Sequence, residues 1–200
     1  MTLTKRASRF AGIVRGAALL AVTVALSLAG AYAWVHGRGN FHEVEKGVVY
    51  RSALPGAEGL ERAIEAHGVK SVLNLCGEKP ESAWYADEVA VARRHGVRFV
   101  NLELCAESEP TADQVAKLVA VLREAPKPLL IHCRAGADRT GLASALYVAS
   151  QGGTYHDASA QLSVFFGHFP YLGSKTVAMD VTLERYFDAV TNRRTTSLSR

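Results

Sequence analysis

The chain has 200 residues, 48% of them hydrophobic and 21% charged, with a formal net charge of +4. That length suits one domain plus an appendage, and the composition is too apolar for a disordered chain. The charge is too modest, and too little interleaved with aromatics, to point to nucleic acid as a partner.

The appendage comes first. Residues 1–16 are basic, with Lys5, Arg6, Arg9 and Arg15. Residues 17–35, AALLAVTVALSLAGAYAWV, carry no charge; as a helix they would span roughly 28 Å, close to the hydrocarbon thickness of a bilayer. Tyr32 and Trp34 stand where an interfacial aromatic belt would lie. The segment therefore reads as a transmembrane helix or signal-anchor, single-pass, with the basic end in the cytoplasm and the remainder extracytoplasmic. Arg38, Lys46 and Arg51 weaken that charge bias, which leaves a cytosolic-facing domain open. So is a cleaved secretory signal ending at AYA (Ala31 to Ala33), giving a secreted or periplasmic product. A buried soluble helix fits poorly, because the stretch is apolar on every side.

Residues 36–47 form a polar linker with Gly37, Gly39 and Gly47. From 48 to 192 short β-type runs alternate with amphipathic stretches, and 193–200 is a polar tail. GVVYRSA reads as a strand, and PGAEGLERAIEAHG as a helix opened by Pro55 and closed by Gly68. VKSVLNL is a buried strand, ESAWYADEVAVARRHG a helix, and VRFVNLEL a strand. In TADQVAKLVAVLREA, Thr111 and Gln114 make a capping box ahead of an apolar face. KPLLIHC is the last strand, and helical patterns at 141–151, 154–166 and 174–191 finish the domain. The alternation predicts an α/β fold, a central parallel-rich sheet flanked by helices. In such sheets ligands bind beyond the carboxyl ends of the strands. Cys76, the Cys105-to-Glu109 loop and Cys133 all fall at predicted strand ends.

Cys76, Cys105 and Cys133 are too few and too far apart for a disulfide scaffold, and the histidines do not stand at metal-ligand spacings around them. No metal or cofactor is expected, and one cysteine is to be weighed as a nucleophile. A cysteine that attacks phosphorus must be a thiolate near neutral pH, which calls for a helix N-terminus or a neighbouring cation. Cys133, at a strand end before a loop and a helix, has the first. The amides of Arg134, Ala135, Gly136, Ala137, Asp138 and Arg139 can cradle phosphate oxygens, and Gly136 permits the backbone such a loop needs. Arg139 offers a planar charged fork for two of those oxygens. Thr140 can give its hydroxyl to the cysteine sulfur.

HCRAGADRTG resembles the HCxxGxxR[ST]G signature of the cysteine-dependent protein tyrosine phosphatases, with His132, Cys133, Gly136, Arg139, Thr140 and Gly141 matching residue by residue. VYRSALP, VKSVLNL and VRFVNLEL ahead of it look like the compact dual-specificity branch, in its bacterial form, so the likeness covers roughly residues 44 to 165. It implies the dual-specificity phosphatase fold and a two-step, metal-free reaction. In that reaction Cys133 forms a cysteinyl-phosphate, which water then hydrolyses.

The acid that protonates the leaving oxygen is less settled. Family members commonly place an aspartate on a loop before the signature. Here that region, LCAESEPTADQ, offers Glu107, Glu109 and Asp113, the last in a first helical turn where a carboxylate is often a dipole partner. Asp138 is the favoured alternative, since relatives among bacterial lipid-and-tyrosine phosphatases and myotubularin-like lipid phosphatases use an aspartate at that place in the loop.

Cys76 stands where relatives often carry an arginine. Cys76 and Cys105 read as buried small hydrophobes, or as partners of a protective disulfide with Cys133. Arg51 reads either as ordering the loop through an ion pair or as a surface charge. FFGHFPYLG, residues 165 to 173, either walls the cleft or packs under the last helices; His156 and His168 carry no functional reading. The substrate expected is protein phosphotyrosine, with dual specificity open. The alternatives are a phosphoinositide or inositol phosphate, though Arg134 and Ala137 stand where the lipid-cleaving branch has two lysines, and a non-catalytic phospho-binding module.

Overall fold

The computed structural model describes residues 12, 15–27, 30, 37 and 39–198, with side chains described through residue 191. Met1–Arg38 and Gly39–Arg200 are separate compact units. In the first unit the described residues 12, 15–27, 30 and 37 are helical (α1 over 15–27). No helix among the described residues is long and apolar enough to cross a membrane. This overturns the expected single-pass membrane placement through residues 17–35, and removes the basis on which the domain was expected to be extracytoplasmic. Residues 28, 29 and 31–35 of that stretch, with Tyr32, Trp34 and the AYA site, lie outside the described residues.

The second unit runs β1 (His42–Glu45), β2 (Val49–Ser52), α2 (Gly56–His67), β3 (Ser71–Asn74), α3 (Ala83–Arg94), β4 (Arg98–Asn101), α4 (Ala112–Glu124), β5 (Leu129–His132), α5 (Asp138–Ser150), α6 (Tyr155–Ser159), two 3₁₀ turns (Val164–Phe166 and Lys175–Val177) and α7 (Ala178–Leu198). The sheet order is β1-β2-β5-β3-β4. β2, β5, β3 and β4 are parallel, and only β1 is antiparallel, against β2. The expected parallel-rich sheet is thus a mixed one. Its extra strand lies in what reads as linker, because HEVE alternates half-buried and exposed residues along a sheet edge, where charges are favoured.

Strands β2, β3 and β5 are buried along their whole length, as expected where helices cover both faces. The two-residue period of β5 divides the core. Leu129 and Ile131 join Leu118 and Leu122 of α4, Leu142 and Leu146 of α5 and Met179 and Leu183 of α7. Leu130 points the other way, to Leu60 and Ala63 of α2 and Val91 and Ala92 of α3. α5 is enclosed continuously from Thr140 to Tyr147.

Helix boundaries follow the reading with instructive departures. The Thr111–Gln114 capping box is formed in both directions. α5 starts three residues earlier than expected, closed by Gly141 N–H donating to the Ala137 carbonyl, so the loop runs straight into the helix. The helix predicted over 154–166 stops at Ser159. Arg51 Nη1 donates to the Gln161 carbonyl at 2.8 Å, taking an acceptor that a continuing helix would use. α7 extends through Leu198, so most of the expected polar tail is helical.

Candidate active site

β5 carries His132 and Cys133 to the carboxyl edge of the sheet, with Ser52 of β2 and Asn74 of β3 in register beside His132. Cys133 is 2% exposed. Four consecutive carbonyls of the loop beyond it are tied to the scaffold. Leu54 N–H donates to Arg134 O at 3.3 Å, Asn40 Nδ2 to Ala135 O at 3.1 Å, and Arg51 Nη2 to Gly136 O at 2.9 Å and Ala137 O at 3.4 Å. Across a trans peptide the next N–H points opposite to the carbonyl. Fixing these carbonyls outward therefore turns the amides of Ala135, Gly136, Ala137 and Asp138 toward the interior of the loop, an anion-binding nest at a helix start.

Gly136 is needed for two reasons. Its φ is +68°, and a Cβ there would lie 2.5 Å from Ala53 N and 2.6 Å from Ser52 C. Gly141 is also a close-approach position, since its Cβ would stand 2.8 Å from Leu162 Cδ2.

Arg139 begins the helix from the far side of the nest. Its Nη1 donates to Leu75 O at 3.3 Å and Leu104 O at 3.4 Å, carbonyls just past β3 and β4. Its buried Nε has no protein partner. Arg51 is fully buried, so neither the ion pair nor the surface charge expected for it is found. Its guanidinium lies over the Phe166 ring at 3.8 Å. Burial pulls its pKa down to about 9, opposed by the charge of Cys133, so it remains a cation at neutral pH.

Of the four candidate acids the structure brings only Asp138 into the loop. Its Oδ1 is 2.7 Å from His168 Nδ1. Glu107 pairs with Lys175 at 3.8 Å and Glu109 with Arg185, while Asp113 is exposed in the first turn of α4. Thr140 is buried with an unpaired hydroxyl, so the expected bond to the sulfur is not formed.

A family model described as "DSP-PTPase phosphatase fused to NAD+ Kinase" matches residues 28–169. The chain belongs to this phosphatase family. The family is part of the cysteine-dependent protein tyrosine phosphatase superfamily, dual-specificity-like. The chain is similar to "Inositol diphosphatase DSP1" of Oryza sativa subsp. japonica, at 36% identity over 107 residues, 51% of this chain and 46% of that one. It thus spans about half the length of the curated relative it matches. The catalytic core of Siw14, an S. cerevisiae protein described as a PP-IP phosphatase, shares the fold. It superposes with a TM-score of 0.59 at 22% identity, covering 80% of this chain and 92% of that one. TpbA of P. aeruginosa superposes with a TM-score of 0.50 at 25% identity, covering 70% and 83%.

Within this member of the dual-specificity-like family, several supports of the loop carry no sequence signature of their own. Asn40 is fully buried, adopts φ +49° and joins Ala135 O to Phe166 O. Glu88 of α3 is fully buried; it accepts from Gly56 N–H at 3.0 Å and lies 3.6 Å from His132 Nε2. Burial raises the Glu88 pKa to about 7, against the pull of that N–H. Burial, then the charge of Arg139, lowers His132 to about 3. With a neutral imidazole this is a polar contact rather than an ion pair. A charged residue mid-helix is the only hint Glu88 gives in sequence. In the segment 165–173, Phe166 packs beneath Arg51 of β2 rather than under the last helices, and Phe165, Phe169, Tyr171 and Leu172 are exposed.

All three thiols are free. Cys105 is exposed rather than buried. Cys76 is buried, and burial raises its pKa while the charge of Arg139 opposes the shift and that of Cys133 adds to it.

Proposed function

We propose that this phosphatase removes phosphate from phosphotyrosine in proteins by way of a cysteinyl-phosphate on Cys133. The observation that carries the reaction is the set of four anchored carbonyls, which presents consecutive amides and the Arg139 fork to one phosphoryl group. The Cys133 thiolate attacks phosphorus, the ester bond breaks, and Asp138 gives its proton to the leaving oxygen. Water then attacks the cysteinyl-phosphate, returning a proton to Asp138 and releasing the thiolate. Arg139 and the amides hold the equatorial oxygens, where charge is greatest in the transition state.

Two features favour an aryl ester of low charge. Lys79 is paired with Glu103, which also feels the charge of Arg139, and Lys175 is paired with Glu107, which limits the cationic field available to a multiply phosphorylated ring. The segment tied to the loop by Asn40 and His168 exposes Phe165, Phe169 and Tyr171, apolar surface suited to an aromatic ring. A second reading, an inositol phosphate bearing a diphosphate, is favoured by the likeness to the rice inositol diphosphatase.

Steady-state kcat/KM on phosphotyrosine peptides against inositol phosphates and diphosphates, with chelator present, tests the reading. A preference of at least about tenfold for the peptides is expected, as is complete loss in Cys133→Ser. The reverse preference transfers the assignment to the inositol substrates. Phosphate release by Cys133→Ser overturns the mechanism.

A further inference from the structure

His168 is the most completely engaged titratable group near the catalytic loop. It is fully buried, and both ring nitrogens are taken by carboxylates: Nδ1 by Asp138 Oδ1 at 2.7 Å and Nε2 by Asp180 Oδ2 at 2.9 Å. The three residues come from three places, the start of α5, the connection after the Val164–Phe166 turn, and the first turn of α7. An imidazole facing two carboxylates donates from both nitrogens only as the cation. Burial pulls the His168 pKa down, yet the hydrogen bonds and charges of Asp138 and Asp180 outweigh it and hold the group above its ordinary value.

We propose that Asp180 and His168 are positioning residues for the proton-transfer step. Asp180 holds the imidazolium, and the imidazolium holds Asp138 and receives the negative charge that Asp138 acquires when it gives up its proton. The proposal rests on the reading of Asp138 as the acid. In the first step the proton leaves Asp138 for the departing oxygen, the bonding pair stays on the carboxylate, and the Nδ1–H of His168 bonds that carboxylate. In the second step the attacking water returns a proton to Asp138. His168 keeps both of its protons throughout.

The other charged and titratable groups around the relay come from different elements. Arg51 of β2 bonds the Gly136 and Ala137 carbonyls just before Asp138. Tyr155 of α6 feels the charge of Asp180 and bonds Glu184 of α7 at 3.5 Å. None of them takes a His168 nitrogen, so the two aspartates are its partners.

The test uses two variants that preserve hydrogen bonding and remove the charge. His168→Asn keeps a donor toward Asp138. Asp180→Asn turns Nε2 into an acceptor, which leaves a neutral imidazole still donating to Asp138. Full-length parent, both variants and Asp138→Asn are assayed for kcat/KM against pH on phenyl phosphate and on p-nitrophenyl phosphate. Loss of a cation beside a carboxyl raises its pKa, so in both variants the alkaline limb moves to higher pH by about one unit or more. Phenyl phosphate, the poorer leaving group, loses about tenfold more activity than p-nitrophenyl phosphate as the acid weakens. A uniform loss on both substrates, with the limb in place, overturns the proposal even if one variant is poorly folded, since the other reports independently. If Asp138→Asn itself spares phenyl phosphate, the assignment of the acid fails. If it does not, while the His168 and Asp180 variants leave the limb unmoved, only the relay fails.

Discussion

Replacing Arg51 by Met asks how much of the catalytic loop is held from below. The side chain is fully buried and donates to Gly136 O, Ala137 O, and the Gln161 carbonyl and Oε1. Methionine fills much of the volume and donates nothing. Each stranded carbonyl costs about 1–3 kcal/mol; Ala137 O keeps the Gly141 N–H, so the Gly136 and Gln161 oxygens forfeit about 4 kcal/mol at the middle of that range. Relief from burying a guanidinium returns about 2 kcal/mol. The net expectation is a loss of about 2 kcal/mol, within the 5–15 kcal/mol a domain typically holds, so the variant folds. Activity suffers more than stability. Freed peptides no longer aim their amides at the phosphoryl group, and losing even one such donor costs about 10²–10³ in kcat. Urea unfolding gives the first quantity and kcat/KM on p-nitrophenyl phosphate the second. Arg51→Lys recovers little, because a point charge cannot bond Gly136 and Gln161 together. If Arg51→Met retains activity within threefold and an unchanged urea midpoint, the loop does not depend on these carbonyl contacts and the argument falls.

Gly136→Ala places a Cβ against the backbone of Ser52 and Ala53 at a φ of +68°. A loss of about 2–4 kcal/mol in urea unfolding and near-complete loss of turnover are expected. Glu88→Gln isolates a pH effect. The Glu88 pKa of about 7 in the fold lies above its ordinary 4.5. The stability it contributes is therefore full below about pH 4.5 and is lost as the pH rises through 7. Relative to the parent, the Gln variant gains about 3 kcal/mol between pH 4.5 and 8, read from urea midpoints at several pH values. An equal difference at every pH contradicts the burial argument.

The parts of the site that lie close together in the chain were legible, because ten residues hold a strand end, a turn that only glycine permits and a helix start. The strands were legible too, since Leu129, Leu130 and Ile131 are apolar on both faces of a doubly covered sheet. What stayed hidden depends on distant partners. Arg51 is 85 residues from Gly136, Asn40 is 95 from Ala135, and His168 is 30 from Asp138. No local pattern distinguishes these from surface charges or an idle histidine. β1 escaped because a polar edge strand has no apolar run. The break after Ser159 has its cause in Arg51, more than a hundred residues earlier. In the N-terminal unit hydropathy promised a span, whereas no helix among the described residues is long and apolar enough to cross a membrane.

The position of β5 at the centre of the sheet, between β2 and β3, has a thermodynamic corollary. The strand that leads into Cys133, the proposed nucleophile, can be released only by breaking pairings on both sides, so its amides belong to the last part of the domain to exchange with solvent. The loop that follows is ordered at the moment the chain folds, and its entropy is lost then rather than at each encounter with substrate. Phosphate should therefore bind with little change in heat capacity and dissociate freely, as the proposed reaction requires once per cycle.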